Sequence, residues 1–80
     1  TKGKEVIVSV KNGQIKINSF DQIMSSIKIY DLKGSLVYEK EKVEMKEFVI
    51  EDLILSNQFL IVMTQLENGK CLSQEIIFHD

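Results

Sequence analysis

Apolar and polar residues alternate along this chain in short runs, and turn dipeptides separate the runs. In "EVIVSV", Val6, Val8 and Val10 alternate with other residues, and Ile15 and Ile17 do the same in "QIKIN". A period of two puts alternate side chains on one face of a strand. Between these runs stands Asn12-Gly13, the dipeptide suited to a hairpin turn in which both central residues have positive φ. Facing Lys11 with Gln14 sets Val10 opposite Ile15 and Val8 opposite Ile17. Turn and pattern then place these apolar side chains on one face.

The segment "IMSSIKIYDLKGSLVYEKEKV" holds a second hairpin. Asp31-Leu32-Lys33-Gly34-Ser35 reads as a type I turn closed by a left-handed glycine, with the Asp31 carboxylate accepting N–H groups of the turn. That register pairs Ile29 with Val37, puts Ile27 on the same face, and gives Tyr30, Leu36 and Tyr38 the other. A charged stretch from Glu39 to Glu47 precedes the strand "EFVIED" and suits the guarding of a sheet edge by charge, since the chain has no proline. "FLIVMTQLE" is nearly continuously apolar, as a central strand is. Asn68-Gly69 then delivers the last strand through a two-residue or a bulged loop, and these alternatives present opposite faces of residues 70–78.

The pattern amounts to about seven short strands at the spacing of sandwiches and barrels, with no amphipathic helix. The expected core joins Val6, Val8, Val10, Ile15, Ile17, Ile27, Ile29, Val37, Phe59 and Ile61. Residues 1–80 read as one domain. The start without methionine fits a piece excised from a larger secreted protein.

Composition narrows the chemistry. One cysteine, Cys71, permits no internal disulfide, and with one histidine, His79, it excludes the usual Cys/His zinc sets. Net charge is -2, and all ten basic residues are lysine. Nucleic acid is therefore not an expected partner, and bidentate arginine recognition is absent. No run approaches the ~20 apolar residues of a membrane span, so membrane insertion is not expected. Cys71 and His79 have no reason to meet a nucleophile's partners, and Glu51-Asp52 reads as a solvated pair at a strand end. The Asn-Gly turns precede strands, not helices, and so are not phosphate cradles. The chain reads as non-enzymatic, with no cofactor and no metal site. Tyr30 and Tyr38 read as cross-strand packing, with a carbohydrate platform as the alternative.

Three stretches in order carry a family resemblance: "IKIYDLKGSLVYE", then Leu55, Phe59, Ile61 and Val62 in "LSNQFLIV", then "LENGKCLSQEIIF". Together they resemble the C-terminal sorting domain of type IX secretion cargo from Bacteroidetes, and most closely the subtype labelled C. The resemblance runs from about Val6 to Phe78. It departs in the last strand, where Gln74 and Glu75 stand in place of a common basic pair and His79 and Asp80 follow the usual end.

The resemblance implies an immunoglobulin-like antiparallel β-sandwich and a non-catalytic signal. Such a domain follows N-terminal cargo domains. It is recognised in the periplasm by the outer-membrane secretion machinery (translocon, shuttle protein and sortase-like peptidase), passes to the cell surface or the medium, and is commonly removed. The residues expected to meet that machinery are Asp31 and Gly34 in one turn, Asn68, Gly69 and Lys70 in another, and Ile76, Ile77 and Phe78 in the terminal strand. The competing expectation is a structural or glycan-binding immunoglobulin-like accessory module of an extracellular protein, since sandwiches host many functions.

Overall fold

The structure is a computed structural model and describes residues 6–79. Glu5, which opens the first run in the sequence, and Asp80 lie outside the described residues. The elements are β1 (Ile7–Lys11), β2 (Gln14–Asn18), β3 (Met24–Asp31), β4 (Leu36–Met45), β5 (Glu47–Ile50), β6 (Gln58–Leu66) and β7 (Cys71–Phe78). They form a three-stranded sheet, β1-β2-β5, and a four-stranded sheet, β4-β3-β6-β7. All neighbours are antiparallel. This is the seven-strand β-sandwich expected of an immunoglobulin-like domain, except that the fourth strand lies beside the third and not in the sheet of the first, second and fifth. The Asp31 hairpin explains the difference, because its tight turn fixes β4 next to β3.

The first hairpin has the register read from the sequence. Lys11 faces Gln14, Val10 faces Ile15 and Val8 faces Ile17. Asn12 and Gly13 have φ of 52° and 77°, as a type I′ turn requires. Ile15 and Ile17 are buried in the core with Val6 and Val8, while Val10 packs against its margin.

Three expectations need correction. First, Phe59 and Ile61 are not in the core. The inward residues of β6 are Leu60, Val62, Thr64 and Leu66, and Phe59 is 47% exposed. An uninterrupted run "FLIVM" has no polar residue to mark the outer face, so its parity is unreadable from pattern alone. Second, Ile29 faces Tyr38, not Val37, because the register shifts between Ile29 and Tyr30. Tyr30 does face Leu36, so the turn sets the first pair correctly. A bulge then inserts Val37 and doubles the residues opposite Ile29. Third, the same bulge moves Tyr38 away from the face of Tyr30 and Leu36. Val37 and Tyr38 both pack against the core.

The charged stretch Glu39–Glu47 is mostly strand. It forms the outer length of β4, at an edge of the four-stranded sheet. Beyond Ser26 the pairing with β3 breaks, and Lys42 and Glu44 have positive φ of 57° and 54° on either side of buried Val43.

The two flanks of the sandwich differ. On one, the chain crosses between sheets through Lys46 alone, from β4 to β5. There the Lys46 carbonyl accepts the Ser19 N–H at 2.8 Å and lies 3.0 Å from Ser19 Oγ. Ser19 Oγ also donates to the Gln22 carbonyl, so this buried hydroxyl is satisfied. On the other flank, edges β1 and β7 lie side by side in separate sheets. The Gly13 N–H donates to the His79 carbonyl at 2.9 Å across that flank.

Candidate functional site

The residues expected to meet a partner fall at two ends of the four-stranded sheet. The register decides this. Leu60 of β6 faces Asp31 on one side and Ile76 on the other. Asp31, Gly34, Ile76, Ile77 and Phe78 therefore share one end. Asn68, Gly69 and Lys70 close the β6–β7 hairpin beyond Leu66, at the other end. The eight residue steps from Gln58 to Leu66 span about 27 Å at strand rise. One small docking segment does not touch both.

Each turn is held by its own side chain. The Asp31 N–H donates to the Ser35 carbonyl, and the Gly34 N–H donates to the Asp31 carbonyl, both at 3.0 Å. Asp31 Oδ1 accepts the N–H groups of Lys33 and Ser35 at 2.9 Å each, as the sequence predicts. Gly34 has φ 91°. The Asn68 turn has the same design. Leu66 N–H donates to the Lys70 carbonyl at 2.8 Å, Gly69 N–H donates to Leu66 at 3.0 Å, and Asn68 Oδ1 accepts the Lys70 N–H at 2.9 Å. Gly69 has φ 97°, and Asn68 is not left-handed. The last hairpin is thus the bulged alternative, with a type I turn and a glycine bulge.

That geometry settles the faces of β7. Ile76 and Phe78 point into the core, and Ile77 is 59% exposed. Of the three terminal apolar residues, Ile77 alone presents its side chain outward; the others hold the strand down.

Ile77 faces Phe59 across the strands, and both stand on the outer surface. Phe59 also lines a concavity of about 330 Å³ with Asp31, Leu32, Lys33 and Gln58. On its other side it lines a groove of about 580 Å³ with Val8, Val10, Glu75, Ile76, Ile77 and His79. Leu32 is 60% exposed at the tip of the Asp31 turn. Phe59 therefore joins the Asp31 turn to the terminal strand in one exposed apolar patch, a feature typical of interaction surfaces. The sequence reading misses Phe59 and Leu32 as surface residues. No sequence signal marks Phe59, because residues 59–63 are apolar without interruption and only the pairing with β7 fixes which of them face outward.

The electrostatics of this end are plain. Tyr38, near the margin of the core, has its phenol raised above the ordinary value by burial and then by the charge of Asp52. Cys71 is exposed at the start of β7, and His79 at its end. They stand at opposite ends of the strand and do not form a nucleophile–base pair. Among the described residues no group of three or more His, Cys, Asp or Glu is placed to hold a metal.

No curated protein matches the chain. A family model does, over residues 1–78, and its description is Domain of unknown function (DUF8694). The chain, a seven-stranded sandwich with this patch at one end, belongs to that family.

Proposed function

We propose that this domain is a non-catalytic sorting signal of the type IX secretion kind, read in its folded form and carried with the cargo domains it follows. The reading places it in the periplasm during transit and then at the cell surface or outside the cell, with removal after export. Its partners in that reading are the translocon, the shuttle protein and a sortase-like peptidase. The observation that supports it is the Leu32–Phe59–Ile77 patch. It sits where the "YDLKGS" turn meets the "EIIF" strand, two of the three stretches that carry the resemblance. A signal read as a folded unit needs such a feature: exposed apolar side chains at fixed spacing on a rigid sheet.

The test separates recognition from folding. A reporter with a signal peptide and this domain at its C-terminus is expressed in a type IX-competent bacterium. Removal of Ile76–Asp80 is a poor probe, because it takes away two core side chains along with the patch. Ile77→Glu and Phe59→Lys change the patch and leave the core. Both are expected to hold the reporter in the periplasm while the purified domain melts within a few degrees of the unaltered one. Full export of both variants would remove the patch from the proposal. Full export of a reporter lacking the whole domain would remove the sorting role and leave an accessory module.

A further inference from the structure

The outer face of the three-stranded sheet carries a second feature, remote from the patch in the other sheet. Phe20 follows β2 and has φ 58°. This is the left-handed region, which a bulky side chain rarely adopts and which marks a place to look for function. Its N–H donates to Asn18 Oδ1 at 2.9 Å, which holds the turn, and its ring is 46% exposed. Glycine or asparagine would make the same turn without strain. The turn alone does not call for an aromatic.

The ring forms one wall of a cup of about 310 Å³. Ile7 adds a second apolar wall, and Ser9, Lys16 and Asn18 supply the polar side. The pairing explains the arrangement. Ile7 faces Asn18 and Ser9 faces Lys16 across β1 and β2, so these four side chains stand on one face in two adjacent rows. Asn18 Oδ1 accepts the Phe20 N–H, which leaves the Asn18 carboxamide two Nδ2 donors and one further lone pair. Ser9 offers a hydroxyl that donates or accepts. Lys16 offers N–H donors.

Charge decides the ligand class. Lys16 Nζ lies 3.2 Å from Glu47 Oε2, with both side chains about half exposed. A phosphate or carboxylate attracted to Lys16 meets the Glu47 charge at nearly the same distance. The cup therefore favours a neutral molecule. It needs one apolar face for Phe20 and Ile7 and several hydroxyls for Ser9, Lys16 and Asn18. A pyranose ring has that form: its C–H groups carry the positive edge that an aromatic face attracts, and its hydroxyls ring the perimeter. The volume stands at the low end for ligand sites, which suits a single sugar residue. We infer that the outer face of the three-stranded sheet binds one neutral pyranose residue of a glycan, between Phe20 and Lys16. This site is independent of the sorting proposal and differs from a Tyr30/Tyr38 platform, which the inward turn of Tyr38 does not form.

The experiment is an NMR titration of the isotopically labelled 80-residue chain. The probes are methyl α-mannopyranoside, methyl β-galactopyranoside and N-acetylglucosamine, with inorganic phosphate as the anion. At least one sugar is expected to give saturable shifts confined to the amides of Ile7, Ser9, Lys16, Asn18 and Phe20, with millimolar affinity. Phe20→Leu keeps an apolar residue but loses the ring, and is expected to weaken binding about tenfold. Ser9→Val keeps strand propensity and loses the hydroxyl, and is expected to weaken it severalfold; it serves should Phe20→Leu disturb the fold, which unchanged Val8 and Ile17 amides would exclude. Absence of saturable shifts with all three sugars overturns the inference. So does tighter binding of phosphate than of any sugar, or sugar binding that neither variant weakens.

Discussion

Asn12 and Asn68 each precede a glycine, yet they do different work. Asn12 is itself left-handed, in a two-residue turn; Asn68 is not, and its carboxamide caps a bulged turn whose glycine alone is left-handed. The dipeptide announces a hairpin, but the loop length follows from which residues pair beyond it. At Gly34 and Gly69 an added Cβ would meet nothing within 4 Å. The cost of a side chain there is conformational alone. Gly34→Ala and Gly69→Ala are accordingly expected to destabilise by about the same amount, about 1–2 kcal/mol each, with Gly34→Val costing more. Denaturant unfolding of the two alanine variants checks this; a clear inequality would point to a contact at one turn. Tyr38 gives a second residue-scale prediction. Burial, then Asp52, raises its phenol, so the folded state holds that proton more tightly than the unfolded chain. Its contribution is present below the ordinary phenol value of about 10 and is lost as pH rises through the folded value. Stability should fall in alkali above about pH 10, less steeply in Tyr38→Phe. Parallel melts of both proteins between neutral and alkaline pH measure it.

At the scale of elements, legibility followed alternation. β1 and β2 alternate strictly around a two-residue turn, and their register was readable residue by residue. β6 is apolar on both faces, so its existence and central place were readable and its parity was not. The outer length of β4 was legible as a charged sheet edge and no further, because four acids and bases in a row, Glu39 to Lys42, carry no alternation that marks a face. Its register breaks at a bulge that no residue type announces. Of the candidate site, the Asp31 turn with its carboxylate contacts was readable, whereas the outward pair Phe59–Ile77 depended on the parity of two strands. The parity is testable. Leu60→Ala should cost about 2–5 kcal/mol, as a buried leucine does, while Phe59→Ala should cost well under that. Comparable losses in urea unfolding would reverse the assignment of faces. In β4, Lys42 and Glu44 carry positive φ around buried Val43. Glu44→Gly relieves the backbone and adds unfolded-state freedom, so a small net gain, up to about 1 kcal/mol, is expected. This irregular, charged edge also resists pairing with other chains.

For the whole molecule, a domain of 80 residues has about 4–12 kcal/mol of stability to divide among its parts. Phe78 is 1% exposed at the end of β7. Phe78→Ala, at about 3–5 kcal/mol, would remove much of that total. Circular dichroism should show a cooperative transition shifted far down in temperature, or no fold at all. A terminal deletion that abolishes export therefore says nothing of recognition until the melting curve is known. Ile77, one residue away and outward, is the position where the two effects separate.

The side-by-side edges β1 and β7 have a mechanical consequence. Val6 lies beside Leu72, Ser73 and Gln74, and Val10 beside Ile76, Ile77 and His79. The two strands therefore run in the same direction, and the start of β1 and the end of β7 lie at opposite ends of the sandwich. Tension applied between Ile7 and Phe78 pulls along the strand axes. It loads the eight paired positions of β6 and β7 together, in shear, and does not peel them one by one. Unfolding under such a load is governed by the rate of crossing the barrier and not by equilibrium stability. A domain built this way yields to stretching as a single event, and anything that draws its chain along the strand axes meets the β6–β7 pairs all at once.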